Sequence, residues 1–145
     1  MLTSLFRIAA LLISLVLTNI ACASNYAPQK VIYHVNYKDV SRIHATFGNI
    51  NNHIAAVGED NLDIKVMIHG PALEYFIDAN DNEEKQMMLD SLRFQNIQFL
   101  ICGNTLNGYH RTINDLYEVS EDDVVQAGIP GIIALQQQGY IYIRP

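Results

Sequence analysis

The chemistry-bearing residue types of this chain are densest in Gln98-Phe99-Leu100-Ile101-Cys102-Gly103-Asn104-Thr105-Leu106. An apolar run with strand character stops at Cys102. A glycine follows, then two residues able to cap a helix. In an open α/β sheet, ligands and chemistry collect outside the carboxyl ends of the strands. A thiol at such an end, facing the amino end of the next helix, has its thiolate form favoured by the helix dipole. The chemistry indicated is nucleophilic, with Cys102 as the reacting group. The same residue type is also a common small buried hydrophobe, so the residues alone leave both readings open.

Other candidates gather around it. His69 ends an apolar run just before Gly70-Pro71; there an imidazole can hydrogen-bond a thiolate or carry a proton, or be a plain turn residue. Asn36 closes the first apolar run in the same way. Backbone amides at Gly103, Asn104 and Thr105 would stabilise anionic sulfur, although Asn104 and Thr105 are also ordinary cap residues. His34 lies mid-strand as a core or face residue, His44 and His53 fall on the first helix, and His110 lies in a loop. No histidine pair has zinc-site spacing with a third ligand nearby, so neither a metal nor an organic cofactor is expected. The chain has no glycine-rich phosphate loop, no G-x-S-x-G elbow and no C-x-x-C. Gly108 stands where a phosphatase-type cysteine loop needs arginine; Arg111 lies further on, without a spacing that demands an anion.

These residues need elements to position them. Lys30 to Asn36 reads as a nearly continuous apolar strand of the kind buried on both faces of a parallel sheet. The stripe Val40, Ile43, Phe47, Ile50, Ile54 and Val57 predicts a helix, capped by Asn36 or Asp39 and ended by Gly58. A second strand runs from Leu62 to Ile68. A short helical piece, 72 to 77, and a turn or cap at Asn80 to Asn82 follow. A helix from about 83 to 94 then has Met87, Met88 and Leu92 as its inner face. The third strand, 96 to 101, ends at Cys102, and Asn104-Thr105 opens a short helix through His110. The polar stretch 114 to 123 holds at most a short strand around 117 to 119. Pro130 starts a helix ended by Gly139, and Tyr140 to Ile143 is the last strand. This alternation predicts an α/β layer fold with a mostly parallel sheet. Right-handed crossovers then bring Asn36, His69 and Cys102 to one sheet edge.

Length, address and charge bound the rest. Met1 to Ala23 has one charge, Arg7, then an apolar run from Ile8 to Leu17, and closes on Ala21-Cys22-Ala23. That is the anatomy of a secretory signal peptide cleaved after Ala23. Lipidation at Cys22 is the rival reading. Residues 24–145 then form one domain, exported to the periplasm or secreted, with no membrane attachment after cleavage. The whole chain has nine Lys and Arg against fifteen Asp and Glu. Removing Arg7 leaves eight against fifteen, a net charge of −7. With no basic cluster, nucleic acid is not a partner. Without Cys22, Cys102 is the lone cysteine, so the mature chain has no internal disulfide.

The chain resembles the DsrE/DsrF-like proteins, in particular the small single-domain sulfur-oxidation type. The resemblance rests on Val31-Ile32-Tyr33-His34-Val35, Val66-Met67-Ile68-His69-Gly70-Pro71-Ala72-Leu73 and the Cys102 segment. It continues through Ala127-Gly128-Ile129-Pro130 and Leu135-Gln136-Gln137-Gln138-Gly139-Tyr140. It implies a three-layer sandwich with a central five-stranded sheet, and a homo-oligomer, a trimer or hexamer. It also implies a cysteine that carries sulfur as a persulfide between an unidentified donor and acceptor protein. By position that role falls on Cys102, with His69 auxiliary. Relay members of the family are cytoplasmic, whereas this chain carries an export signal. Two rival readings are a non-catalytic small-ligand-binding protein and a redox-responsive oligomer joined through Cys102.

Overall fold

The structure, a computed structural model, describes residues 26–145. The signal-peptide reading of 1–23, its cleavage site and Cys22 lie outside the described residues. Five strands form one sheet in the order β4-β3-β2-β1-β5, and every pairing is parallel. They are β1 (Gln29–Val35), β2 (Leu62–Ile68), β3 (Gln98–Cys102), β4 (Val124–Val125) and β5 (Ile141–Ile143). Five α-helices connect them: α1 (Val40–Val57), α2 (Leu73–Asp78), α3 (Glu83–Phe94), α4 (Gly103–Gly108) and α5 (Gly128–Gln137).

The strand order dictates the layers. From β1 to β4 the chain steps one way across the sheet, so right-handed crossovers put α1, α2 and α3 on one face. The return from β4 to β5 runs the other way and puts α5 on the opposite face. Side-chain parity follows. Val31, Tyr33, Val35, Val66, Ile68, Phe99 and Ile101 pack with Phe47, Ile50, Phe76, Leu89 and Leu92 from the helices in the larger core. Ile32, Met67 and Leu100 point the other way and pack with Ile132 and Tyr140. Strands covered on both faces explain the unbroken apolar runs of β1 and β3.

The caps are local. The Asp39 carboxylate accepts the Arg42 amide at 2.7 Å at the start of α1, and the Asn82 side chain accepts the Lys85 amide at 3.0 Å at the start of α3. Gly58, at φ +90°, ends α1 and donates to the Ile54 carbonyl.

Several sequence expectations are corrected. No strand forms at 117–119: Glu118 takes a left-handed φ of 49°, and the Tyr117 amide turns back to the Phe76 carbonyl. The fourth strand comes later, at Val124–Val125, after two short turns closed by capping boxes at Thr112/Asp115 and Ser120/Asp123. Helix α5 begins at Gly128, two residues before Pro130, because Ala127 is its extended N-cap. Pro130 then occupies the first turn, where no amide donor is needed. Met87 is 66% exposed and Val40 is exposed too. The inner face of α3 is Leu89 and Leu92, with Met88 packed beside them. Helix α4 ends at Gly108, short of His110, which has a left-handed φ.

Candidate functional site

The parallel register places Val35 beside Ile68 and Ile68 beside Ile101. One step on, Asn36, His69 and Cys102 stand in a row at the carboxyl edge, as the topology argument expects. Their surroundings differ, and they set the site.

Cys102 is the last residue of β3 and shares the parity of Leu100, so its side chain lies on the α5 face. It is buried, at 2% exposure. Its Sγ accepts a hydrogen bond from the Gly128 amide at 3.1 Å. Gly128 is the first residue of α5, so the positively polarised amino end of a ten-residue helix meets the sulfur. The approach is close: a Cβ there would lie 3.3 Å from Cys102 Cβ, a tight contact, 3.5 Å from Sγ and 3.6 Å from His69 Cβ. Cys102 and His69 are thus neighbours around one glycine.

Of the amides expected to face the sulfur, that of Asn104 is used elsewhere, and Gly103 and Thr105 serve the surrounding frame. Cys102 is the N-cap of α4 but makes no side-chain cap bond there. The Asn104 amide donates to the Gln126 carbonyl at 3.2 Å, and the Asn104 side chain is exposed. Thr105 is buried, and its Oγ1 accepts the Gly70 amide at 2.9 Å. That bond pins the left-handed turn just after His69, where Gly70 has φ +59°. A Cβ at Gly103 would lie 3.1 Å from the Val125 and Gln126 carbonyl oxygens, so this glycine lets β4 approach. The Asn36 Oδ1 accepts both Nε and Nη2 of Arg144, at 3.0 and 2.8 Å, which ties the chain end to the edge. Asn104, Thr105, Gly103 and Asn36 therefore shape the frame around Cys102 and His69.

Two residues absent from the expected site belong to it. The rings of His34 and His69 stack, with centroids 5.6 Å apart and planes at 27°. His34 Nδ1 shares a hydrogen bond of 3.0 Å with Tyr142 Oη. His34 Nε2 and His69 Nδ1 are both buried without a hydrogen-bond partner. His34, Met67, His69, Leu100, Cys102 and Tyr142 have the parity of the α5 face. That parity was visible in the sequence, but the register that aligns the strands was not. His44 and His53 have structural partners instead: Tyr75 Oη for the first, Tyr33 Oη and Gln29 for the second. Arg111 pairs with Asp115. Among the described residues no three His, Cys, Asp or Glu side chains are placed to hold a metal ion, and no helix is long and apolar enough to cross a membrane.

Burial, followed by the charges of His69 and Arg144, pushes His34 down to about 4. Over the range from its ordinary 6.5 to about 4, the unfolded chain binds a proton that the folded protein does not. Stability from this residue is therefore full above that range and is lost as pH falls through it, by up to about 3 kcal/mol. Burial lowers His53 in the same direction. Asp39 and Asp115, lowered chiefly by backbone amides of Arg42 and Thr112, act only near and below 3.8. Urea midpoints are expected to fall as pH drops from 6.5 to 4, and to fall less in His34→Phe. Equal slopes for the two proteins would contradict this assignment.

A protein-family model described as the DsrE/DsrF-like family matches residues 20–145. Among solved structures, a protein of unknown function from Methanobacterium thermoautotrophicum is similar over 81% of this chain and 99% of its own. The identity is 27% and the TM-score 0.70. No curated protein matches the chain.

Proposed function

The chain belongs to the DsrE/DsrF-like family, which relates it at family level to sulfur metabolism, and from that premise we propose that it is a sulfur carrier of sulfurtransferase type whose acceptor is Cys102. The carrying observation is the thiol itself: it ends a central strand at the carboxyl edge, with a helix amino end donating to its sulfur and a histidine beside it.

The step is an exchange at sulfane sulfur. The Cys102 thiolate attacks the outer sulfur of a donor R–S–SH. The Sγ–S bond forms, the donor S–S bond breaks, and the bonding pair leaves with RS⁻. The proton lost earlier from the Cys102 thiol goes to a base, the role given to His69, and the leaving thiolate is protonated in turn. The sulfane sulfur moves without net oxidation, so no oxidant, metal or organic cofactor enters. Discharge repeats the exchange with an acceptor thiolate attacking the outer sulfur of Cys102–S–SH. Positive polarisation at the Gly128 amide stabilises negative charge on the cysteine sulfur in both directions.

The burial of Cys102 favours one second reading, a non-catalytic small-ligand-binding protein in which the thiol only packs. Reduced protein exposed to polysulfide, freed of excess and assayed for cyanide-labile sulfur, separates the two. About one sulfur per chain on wild type and none on Cys102→Ser supports the carrier. No labile sulfur on wild type, or equal sulfur on both proteins, leaves the ligand-binding reading. Export to the periplasm or secretion, and assembly into a trimer or hexamer, belong to the same proposal. Exposed Ile129 and Ile133 on α5, with Ile141 and Tyr142 on β5, are consistent with assembly. Light scattering of the purified 24–145 chain gives its mass directly.

A further inference from the structure

We propose, on the reading that Cys102 accepts sulfane sulfur, that His34, anchored by Tyr142, is a positioning residue that holds the His69 ring beside the sulfur site. His34 belongs to β1 and His69 follows β2, and their rings stack at 5.6 Å. His34 is 4% exposed, far more buried than a surface imidazole. One of its nitrogens is held by Tyr142 Oη, which sets the ring's rotation. The other nitrogen and His69 Nδ1 are buried without partners. Buried polar atoms of native proteins are almost always satisfied, and exceptions concentrate at functional places.

The backbone of His69 is fixed independently. Its amide donates to the Val35 carbonyl at 3.1 Å, and Gly70 next to it is held by Thr105. What remains is the rotation of the His69 side chain, and the stacked His34 ring covers one face of it. A base misplaced by about 1 Å costs about a hundredfold in rate, so an inert-looking neighbour that fixes the ring matters to the chemistry. The ionisable groups around the pair are few. Cys102 comes from β3, Tyr142 from β5, and Arg144 follows β5 and acts on His34 through its charge. Neither α5 nor α4 contains an ionisable side chain.

Two variants test the inference and leave Cys102 and His69 intact. His34→Phe keeps a ring for stacking but loses the bond to Tyr142. Tyr142→Phe removes one hydroxyl from a partly exposed residue, so it folds even if the first variant does not. The first readout needs no sulfur: the NMR signals of the His69 ring protons at one fixed pH, identified by their loss in His69→Ala. Tyr142 bonds to His34, so changed His69 ring signals in Tyr142→Phe report transmission through His34. Displaced His69 ring signals are expected in both variants, because the stacked His34 ring sets their surroundings. The second readout is the rate of sulfur uptake, expected to be about tenfold slower in each variant. His69 ring signals identical to wild type in Tyr142→Phe overturn the inference, as does an uptake rate unchanged in both variants. If wild type takes up no sulfur, the carrier reading fails, and the NMR signals still decide whether His34 positions His69.

Discussion

Replacing Gly128 with valine is expected to make Cys102 react with iodoacetamide about 5- to 150-fold faster in the folded protein. The thiol is 2% exposed, and the amino end of α5 covers it. Gly128 has an ordinary backbone conformation, so only space forbids a side chain there. A Cβ would already press on Cys102 Cβ at 3.3 Å, with Cys102 Sγ and His69 Cβ next to it, and valine adds two methyls to that contact. Overpacking of this kind costs about 1–3 kcal/mol. Because the strain falls on the contact between α5 and β3, it raises the population in which the helix end has lifted, by roughly 5- to 150-fold. The amide-to-sulfur bond is lost in the same movement, so sulfur uptake by the variant becomes fast but poorly retained. An alkylation rate equal to wild type would mean that something other than α5 guards the thiol.

Phe76→Ala has the largest expected effect on stability. Phe76 is fully buried and lies edge-to-face with Phe99 at 5.3 Å, in the core that joins α2 to the sheet. Truncating such a ring costs about 3–5 kcal/mol, a large part of the roughly 5–15 kcal/mol that holds a domain folded. For a chain of this size the melting temperature should fall by roughly 10–20 °C. Phe94→Ala is the control: the ring is 89% exposed, and its loss should change stability by less than about 0.5 kcal/mol. Similar losses for both variants would refute the assignment of the core.

The same contrast shows which parts of the molecule the sequence discloses. Continuous apolar runs disclosed β1, β2 and β3 because both their faces are covered. Asp39, Asn82 and Gly58 disclosed helix ends because caps act within four residues. Met87 misled because helix phase was read from residue type. The packed structure keeps Leu92 on the inward side of α3 and adds Leu89 to it. The two-residue strand β4 carries almost no pattern of its own; its partner β3 makes it a strand. Two Ser/Thr-x-x-Asp boxes, at Thr112 and Ser120, were the readable sign that 112–123 turns rather than extends.

At the site, Cys102 and His69 were legible as strand ends. The donor to the sulfur was not, because Gly128 lies 26 residues further along the chain and reaches Cys102 only through the return crossover. Residues 103–105, adjacent in sequence, were the natural guess. They instead hold β4 and the His69 turn. His34 and Tyr142, 108 residues apart, share a hydrogen bond that depends on β1 pairing with β5. No local signal records that pairing.

The central claim is that Cys102 forms a persulfide and gives it up to a thiol. The most direct measurement is intact mass of the purified 24–145 chain, wild type and Cys102→Ser, after a polysulfide donor and again after an excess of a small acceptor thiol. A gain of one sulfur atom is expected on wild type alone, lost on addition of the acceptor. No gain on wild type, with Cys102 also resisting alkylation in the folded state, would contradict it and leave a structural thiol at the end of β3.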